Sequence, residues 1–155
     1  MICTNTPTFC LSSVSPEAYD EVVAVWEASV RATHHFVTEA EILFYRPMLR
    51  QEYLWLVTLT CARDSHGKML GFAGVAADKL EMLFLHPSAR GKGIGKRLLQ
   101  HAVQQLKITK VDVNEENEQA VGFYLHEGFT VINRSEVDNL GMPHPILHLE
   151  LVKKT

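Results

Sequence analysis

At the centre of this chain stands one segment, Lys79-Leu-Glu-Met-Leu-Phe-Leu-His-Pro-Ser-Ala-Arg-Gly-Lys-Gly-Ile-Gly-Lys-Arg97. Its first half is a short apolar run that stops at Pro87, and this favours a buried strand over a helix. Its second half is rich in glycine and leads into apolar residues at helical spacing up to about Lys107. The segment therefore predicts a strand, a tight turn and the start of a helix.

The turn in this segment has the chemistry of a phosphate-binding site. Backbone N–H groups at a helix N-terminus have no partner within the helix, and glycine lets a ligand approach them closely. Arg90, Lys92, Lys96 and Arg97 surround this point with positive charge. We expect a phosphate or pyrophosphate to bind there.

Two common phosphate-binding motifs do not match this turn. A P-loop requires glycine at the position of Arg90 and serine or threonine at the position of Arg97. The dinucleotide motif Gly-x-Gly-x-x-Gly, started at Gly91, requires glycine at the position of Lys96. What remains is an Arg-x-x-Gly-x-Gly motif at residues 90–95, directly after a strand.

This motif resembles the pyrophosphate loop of the Gcn5-related N-acetyltransferase (GNAT) family, where such a turn binds the diphosphate of acetyl-coenzyme A. A second segment, Asn114-Glu-Glu-Asn-Glu-Gln-Ala-Val-Gly-Phe-Tyr-Leu-His-Glu-Gly-Phe129, is similar to the family's second signature, a strand end followed by a helix that carries a tyrosine. Both signatures and their flanking strands cover roughly the C-terminal half. The likeness to one bacterial subgroup of the family runs nearly full length.

Composition sets limits on the kind of protein. The 155 residues are 46% apolar and 21% charged, which is typical of one soluble globular domain, and we expect a single domain over residues 1–155. A formal charge of −3 argues against a broad nucleic-acid-binding face. The chain lacks a run of about 20 apolar residues and a signal peptide, so we expect a cytoplasmic protein without a membrane partner. Monomer and homodimer both stay open.

The cysteines and histidines predict no metal centre. Cys3, Cys10 and Cys61 are odd in number and lack metal-ligand spacing, so we expect free thiols in a reducing compartment. The histidines show no spacing that supports a metal site either.

The remaining patterns predict eleven elements in the order β-α-α-β-β-β-α-β-α-β-β. Strands are expected at Thr8–Leu11, Leu54–Ala62, Met69–Ala77, Leu80–Leu85, Thr109–Val113, Phe129–Asn133 and Ile146–Val152. Helices are expected from Ser15-Pro16, from a capping box at Thr38 until Pro47 ends or kinks it, from the glycine run to Lys107, and over Asn117–Glu127.

This order indicates an α/β (α+β) fold with a mixed sheet flanked by helices, because helices alternate with strands while consecutive hairpins favour antiparallel pairing. The resemblance implies the GNAT fold. There, the strand carrying Leu83 and the strand ending at Asn114 would be parallel neighbours that splay apart and admit the pantetheine arm of the coenzyme.

The resemblance also implies which residues bind acetyl-coenzyme A. The backbone of the pivotal strand would pair with the pantetheine and polarise the thioester carbonyl, and the glycine-rich turn would hold the diphosphate. Asn114 and Asn117 would contact the coenzyme arm, although a strand-end turn and a helix cap are alternative roles for them. The expected coenzyme-binding residues are Met82, Leu83, Phe84, Leu85, Arg90, Gly91, Lys92, Gly93, Ile94, Gly95, Lys96, Asn114 and Asn117.

Tyr124 and Glu81 are the candidate catalytic residues. The family places a tyrosine at this point near the thioester sulphur, and a phenol of pKa about 10 can protonate the departing thiolate. A core tyrosine is the alternative for Tyr124. Glu81 lies on the strand where many members carry an acid, and it is the candidate general base; a solvated strand residue is its alternative.

The implied activity is transfer of the acetyl group of acetyl-coenzyme A to a primary amine of a small molecule, peptide or protein, by direct attack. No cysteine lies in either signature, which argues against a covalent intermediate. His34, His35 and Asp138 are candidates for the acceptor pocket, from the end of the first helix and a long polar loop. An acyl-coenzyme A sensor and a nucleotide-binding regulatory domain are the alternative functions.

Overall fold

Seven strands and four α-helices make up residues 8–152, the part of the chain that the computed structural model describes. The strands are β1 (Phe9–Ser13), β2 (Thr58–Asp64), β3 (Met69–Ala76), β4 (Lys79–Leu85), β5 (Lys110–Asn114), β6 (Phe129–Ser135) and β7 (Ile146–Leu151). The helices are α1 (Tyr19–Thr33), α2 (Glu39–Gln51), α3 (Ile94–Gln104) and α4 (Glu118–His126). The predicted order of strands and helices is confirmed.

Local signals in the sequence account for the starts of three helices. The Thr38 hydroxyl accepts the N–H of Glu41 and the Glu41 carboxylate accepts the N–H of Thr38, which is the predicted capping box of α2. Gly93 precedes α3 with a φ of 78°, a left-handed conformation that favours glycine. The Asn117 side chain caps α4 by accepting the N–H of Ala120 at 3.2 Å.

The sheet has the strand order β1-β2-β3-β4-β5-β7-β6, and only the pair β4 and β5 is parallel among the described strands. The mixed sheet predicted from the sequence is thus confirmed. Helices α3 and α4 cover one face, over Leu80 and Val111. Helices α1 and α2 cover the other face, over Phe72 and Phe84. Each face therefore buries its own apolar core.

A β-bulge explains why β4 and β5 separate. Val75 pairs with Leu80 and Gly74 pairs with Met82, so the register between β3 and β4 skips Glu81. An extra residue of this kind bends a strand and ends its pairing. Strand β4 pairs with β5 at only two positions, Lys79 with Lys110 and Leu80 with Val111, and the fork opens at the bulge. The splayed pair that the resemblance implied is present.

The structure differs from the prediction at three boundaries, and of the two outcomes expected at Pro47, a helix end or a kink, it excludes the end. Helix α2 does not end at Pro47 but continues to Gln51. Pro47 has no N–H to donate to the carbonyl of Leu43, one turn earlier. Both residues are exposed, so this carbonyl loses its helical donor on the solvent side. Residues Tyr53–Leu56 form a 3-10 turn rather than the start of a strand. Helix α3 stops at Gln104, because Lys107 has a left-handed φ of 59° that reverses the chain.

The cysteine prediction was partly wrong. Cys61 is a buried free thiol, as expected. Cys10 is disulfide-bonded. An odd number of cysteines does not exclude one disulfide bond. Cys3 lies outside the described residues. The argument from free thiols to a reducing compartment therefore loses part of its support.

A helix that crosses a membrane must be both long and apolar. Within residues 8–152, every helix is too short or too polar to cross a membrane.

Candidate active site

Two cavities meet at the fork between β4 and β5. The first, which we call the coenzyme cavity, has a volume of about 310 Å³ and is lined by the glycine-rich turn and by Leu83 to Leu85 of β4. The second, which we call the acceptor cavity, also has a volume of about 310 Å³ and extends towards α1 and α2. His34, Leu83, Phe84, Asn117, Ala120 and Tyr124 line both. A ligand in one cavity can therefore touch a ligand in the other.

The coenzyme cavity fits a phosphate-bearing chain. Gly91 and Gly93 have φ values of 74° and 78°, and a Cβ at either position would meet no other atom within 4 Å, so the backbone there is open to a ligand. Arg90 and Lys96 line this cavity, which has no carboxylate among its described lining residues. Beyond Leu80 the edge of β4 that faces β5 pairs with no described strand, so its N–H and C=O groups are available.

Tyr124 lies at the junction of the two cavities. Its ring is buried, with only 5% of the residue exposed, and packs edge-on against Phe123 and Phe129. No hydrogen bond joins its hydroxyl to a described residue, yet no described side-chain oxygen is both enclosed and unpaired. The hydroxyl therefore opens onto the cavities. Burial raises the pKa of Tyr124, so the phenol stays protonated and can donate.

His34 is fixed in one tautomer beside Tyr124. The Thr33 hydroxyl donates to the carbonyl of Ser29 at 2.7 Å, so it must accept from Nδ1–H of His34 at 2.8 Å. The Nε2 lone pair then accepts from the side-chain amide of Asn117 at 3.3 Å. Burial, with smaller contributions from nearby positive charges, lowers the pKa of His34 to about 4, so the ring is neutral.

Two carboxylates stand at the fork itself. Glu81 and Asp112 directly follow Leu80 and Val111, the last paired residues of the two strands, and both line the acceptor cavity. Glu81 accepts no hydrogen bond from the described residues. Burial raises the pKa of Glu81, Lys79 opposes this, and the charge of Asp112 adds to it. Glu81 is thus poised to accept a proton.

Asp112 is held by a polar chain that crosses the sheet. It accepts from Lys79 Nζ at 3.0 Å and from Nδ1 of His148 at 2.7 Å. His148 Nε2 in turn lies 2.7 Å from the hydroxyl of Ser135. These side chains come from β4, β5, β7 and β6, so the position of Asp112 depends on the whole C-terminal part of the sheet.

The outer wall of the acceptor cavity is tied together by His144. Its Nδ1 lies 2.9 Å from Glu116, and its Nε2 makes a short contact with Glu41 of α2. Burial alone would lower the pKa of His144, but the hydrogen bonds with Glu116 and Glu41 outweigh it and raise the pKa. The protonated ring therefore bridges α2, the β5–α4 loop and the β6–β7 loop.

Asp138 completes this wall. One of its oxygens accepts the N–H groups of Leu140 and Met142, each at 2.9 Å, and the other accepts the Tyr45 hydroxyl at 2.7 Å. The loop is thus anchored to α2, and Asp138 is held at the cavity.

Most predicted site residues lie together. The coenzyme cavity is lined by the predicted residues Leu83, Phe84, Leu85, Arg90, Gly91, Gly93, Ile94, Gly95, Lys96 and Asn117. Met82, Asn114, Glu81 and Asp138 line the acceptor cavity, while His34 and Tyr124 line both. Lys92 and His35 are exposed and line neither.

Other site residues were not predicted from the sequence. Asp112, Tyr45, Tyr53 and His144 line the acceptor cavity, and Gln119 lines the coenzyme cavity. For Asp112, a polar residue between the buried Val111 and Val113 was the one available signal, since it indicates the opposite face of the strand.

Comparison with known proteins gives consistent matches. Residues 51–131 match the family described as "Acetyltransferase (GNAT) domain". The chain is 41% identical over 141 residues to the peptidyl-lysine N-acetyltransferase YjaB of Escherichia coli (strain K12), and the match covers 88% of this chain and 92% of that protein. The bacterial subgroup expected from the sequence is the one that contains this relative.

Solved structures agree with the fold. The solution structure of apo-form YjaB from Escherichia coli has a TM-score of 0.84 at 36% identity, covering 94% of this chain and 99% of that one. The crystal structure of a PaiA N-acetyltransferase from Thermoplasma acidophilum in complex with coenzyme A has a TM-score of 0.70 at 21% identity, covering 92% and 98%. The second likeness concerns the fold alone.

Proposed function

The chain belongs to the GNAT family of acetyltransferases, and we propose that it transfers the acetyl group of acetyl-coenzyme A to the side-chain amine of a lysine in a peptide or protein. The observation that carries this proposal is the hydroxyl of Tyr124, which has no hydrogen-bond partner among residues 8–152 and opens where the coenzyme and acceptor cavities meet. The named lysine activity of the 41% identical relative supports the acceptor class.

The coenzyme would be held by the chain in two ways. Arg90, Lys96 and the backbone N–H groups around Gly91 and Gly93 would bind its diphosphate. The free edge of β4 would pair with its pantetheine arm. Its thioester supplies an acetyl group that is activated for attack by an amine.

The reaction needs two proton transfers. As the amine nitrogen forms the new C–N bond, the C–S bond breaks and the electron pair goes to sulphur. Tyr124 would donate its proton to this thiolate, and the nitrogen, positively charged after the attack, would lose a proton that returns to the Tyr124 phenolate directly or through solvent. Because burial raises the pKa of Tyr124, the phenol is present in the donating form at neutral pH.

Glu81 would take the proton from the acceptor. A lysine amine of pKa about 10.4 is almost fully protonated at pH 7, and forming its neutral, nucleophilic state at this pH costs about 4.6 kcal/mol of free energy. A carboxylate at the fork with a raised pKa allows the amine to bind in its protonated form, because it accepts the proton next to the site of attack. His34, with its pKa lowered to about 4, is a weaker base and would orient Asn117 instead.

The test is acetylation of a defined peptide. We would mix the purified chain with acetyl-coenzyme A and a peptide that has a blocked N-terminus and one lysine, and measure the acetylated peptide by mass spectrometry together with released thiol. The matched control peptide carries norleucine instead of lysine. Equal amounts of thiol and acetyl-lysine are expected. Coenzyme binding by calorimetry without turnover of any amine would contradict the proposal and favour a sensor.

Other sequence-based expectations stay predictions. They are a cytoplasmic location, the absence of a nucleic-acid partner and of a metal, and a monomeric or homodimeric state. Within the described residues, no three or more His, Cys, Asp or Glu side chains are grouped so that they could hold a metal ion.

A further inference from the structure

The acceptor cavity continues into a third cavity of about 620 Å³. Tyr45, Tyr53, Glu81, Asp112 and Asp138 line both, so the two form one continuous space, which we call the acceptor groove. The groove leads from the fork to the β6–β7 loop and the turn after α2. It is much larger than a single lysine side chain requires.

The groove and the coenzyme cavity have opposite charge. Three carboxylates, those of Glu81, Asp112 and Asp138, line the third cavity, and none of its described lining residues is a lysine, arginine or histidine. Arg90 and Lys96 line the coenzyme cavity, without a carboxylate among its described lining. Electrostatics therefore direct an anion to one side of the fork and a cation to the other.

The three carboxylates are not equally available to a ligand. Asp112 is already compensated by Lys79 and is bonded to His148. Asp138 receives hydrogen bonds from neutral groups, the Tyr45 hydroxyl and two backbone N–H groups, so it is oriented but its charge is not neutralised. Glu81 has no hydrogen bond from the described residues. The groove thus carries two carboxylates without an ion-pair partner among the described residues, Glu81 at the fork, where the charge of Lys79 acts from further away, and Asp138 at the outer wall.

We propose that the enzyme selects an acceptor with a second cationic group, which binds at Asp138 beside the rings of Tyr45 and Tyr53 while the reactive amine lies at Glu81. This inference rests on the proposed acetyl transfer. The shared chemistry is a primary amine followed by a second positive charge. A basic residue next to the target lysine supplies it, and so does a linear polyamine. Tyrosine rings add a cation–π contribution to such a site.

The experiment compares acceptors that differ only in the second charge. Two peptides with blocked termini carry one lysine next to either arginine or citrulline, which has nearly the same shape without the charge. A linear diamine and a monoamine of equal length form the second arm. We expect kcat/KM to be at least about tenfold higher for the charged member of a pair. The arm with the higher kcat/KM identifies the source of the second charge.

Asp138→Asn is the decisive variant. Asparagine keeps an oxygen for the N–H groups of Leu140 and Met142, and its amide can donate to the Tyr45 oxygen, so the loop is preserved while the charge is removed. We expect the ratio of kcat/KM between the charged and uncharged acceptors to fall to near one. Calorimetric binding of coenzyme A confirms that the variant is folded.

Asp64→Asn is the matched control. Asp64 accepts the N–H groups of the residues two and four positions later, His66 and Lys68, in the same way as Asp138 does in its loop. It is the last residue of β2, at the start of the β2–β3 turn, and lines none of the three cavities. Its substitution should leave the acceptor ratio of the parent unchanged.

The outcomes separate this inference from the proposed function. Equal kcat/KM for charged and uncharged acceptors in the parent, or a ratio that survives in Asp138→Asn, overturns the second-cation site and leaves acetyl transfer intact. No turnover of any amine by a chain that binds coenzyme A overturns both. If Asp138→Asn fails to bind coenzyme A, Asp138→Ser replaces it, since serine also removes the charge and its hydroxyl can still accept the loop N–H groups, and a ratio that survives there also overturns the site.

Discussion

The environment of Glu81 results from the β-bulge in β4, where this strand has one extra residue relative to β3. The bulge places it at the fork, where it faces the acceptor cavity without a hydrogen bond from the described residues. Burial then raises its pKa, with Lys79 opposing the shift. The family resemblance pointed to Glu81 but could not predict this environment, because the bulge depends on how β3 pairs with β4.

Replacing Glu81 by glutamine should change the pH dependence of turnover. In the parent, the protonated amine binds and passes its proton to Glu81, so kcat/KM falls as pH drops through the raised pKa of Glu81 and levels off above it. In Glu81→Gln, the rate should follow the neutral amine, which increases about tenfold per pH unit below a pKa of about 10.4.

The profile of kcat/KM from pH 6 to 9 checks this. We expect a loss of about 10²-fold in Glu81→Gln at pH 6.5 that shrinks as the pH rises. A constant ratio between parent and variant across this range would exclude Glu81 as the base. Glu17→Gln, on the exposed turn before α1, is a suitable control.

Among the elements, the turn before α3 was the most predictable part of the site. Its residues are contiguous, and glycine at Gly91 and Gly93 signals a left-handed backbone directly. The outer wall of the acceptor cavity was not predictable in this way, because its residues are far apart in the sequence. The hydrogen bond from Tyr45 of α2 to Asp138 joins residues 93 positions apart, and His144 bridges α2 to two other loops. No local spacing predicts such contacts.

Gly93→Ala should weaken coenzyme binding beyond its effect on stability. Its φ of 78° costs an alanine about 1–2 kcal/mol, and the added methyl group would stand in the open space through which a ligand approaches this turn. Gly67→Ala is a close control, because Gly67 has a φ of 84°, equally open surroundings and a position outside the three cavities. Calorimetry should give at least about a tenfold higher Kd for coenzyme A in Gly93→Ala only. Equal Kd values for the two variants would remove this turn from the binding site.

His144→Gln tests the bridge between α2 and the two loops. The pKa of His144 is raised above its unfolded value of 6.5, so its contribution to stability is fully present below pH 6.5 and is lost as pH rises through the folded pKa. We expect the free energy of unfolding to drop by about 1–3 kcal/mol at pH 6 and by less at pH 9.

Urea denaturation of parent and variant at both pH values measures this. His66→Gln, at an exposed turn, should change the free energy by less than about 0.5 kcal/mol at either pH. A loss in His144→Gln that is the same at pH 6 and pH 9 would show that packing, not charge, holds the three segments together.

For the whole molecule, the order of strands and helices followed from local signals: caps such as Thr38, turns at glycine and proline, and apolar periodicity. The path of α2 through Pro47 did not, because solvent access at the carbonyl of Leu43 decides it, and the disulfide bond of Cys10 did not either. The fork was implied by family resemblance alone. The folded chain shows in addition that the cationic coenzyme cavity and the anionic acceptor groove meet. Tyr124 lines both, and Glu81 lies on the acceptor side.

The rate of thiol release from acetyl-coenzyme A, with a lysine peptide as acceptor, should therefore be compared between the parent, Tyr124→Phe and Tyr19→Phe. Tyr19 is equally buried but lines none of the cavities, and its hydroxyl donates to the carbonyl of Leu54. We predict that kcat falls at least about 10²-fold in Tyr124→Phe while the Kd for coenzyme A stays within about twofold, and that Tyr19→Phe keeps the parent rate. An unchanged kcat in Tyr124→Phe would contradict the assignment of Tyr124 as the general acid of an acetyltransferase.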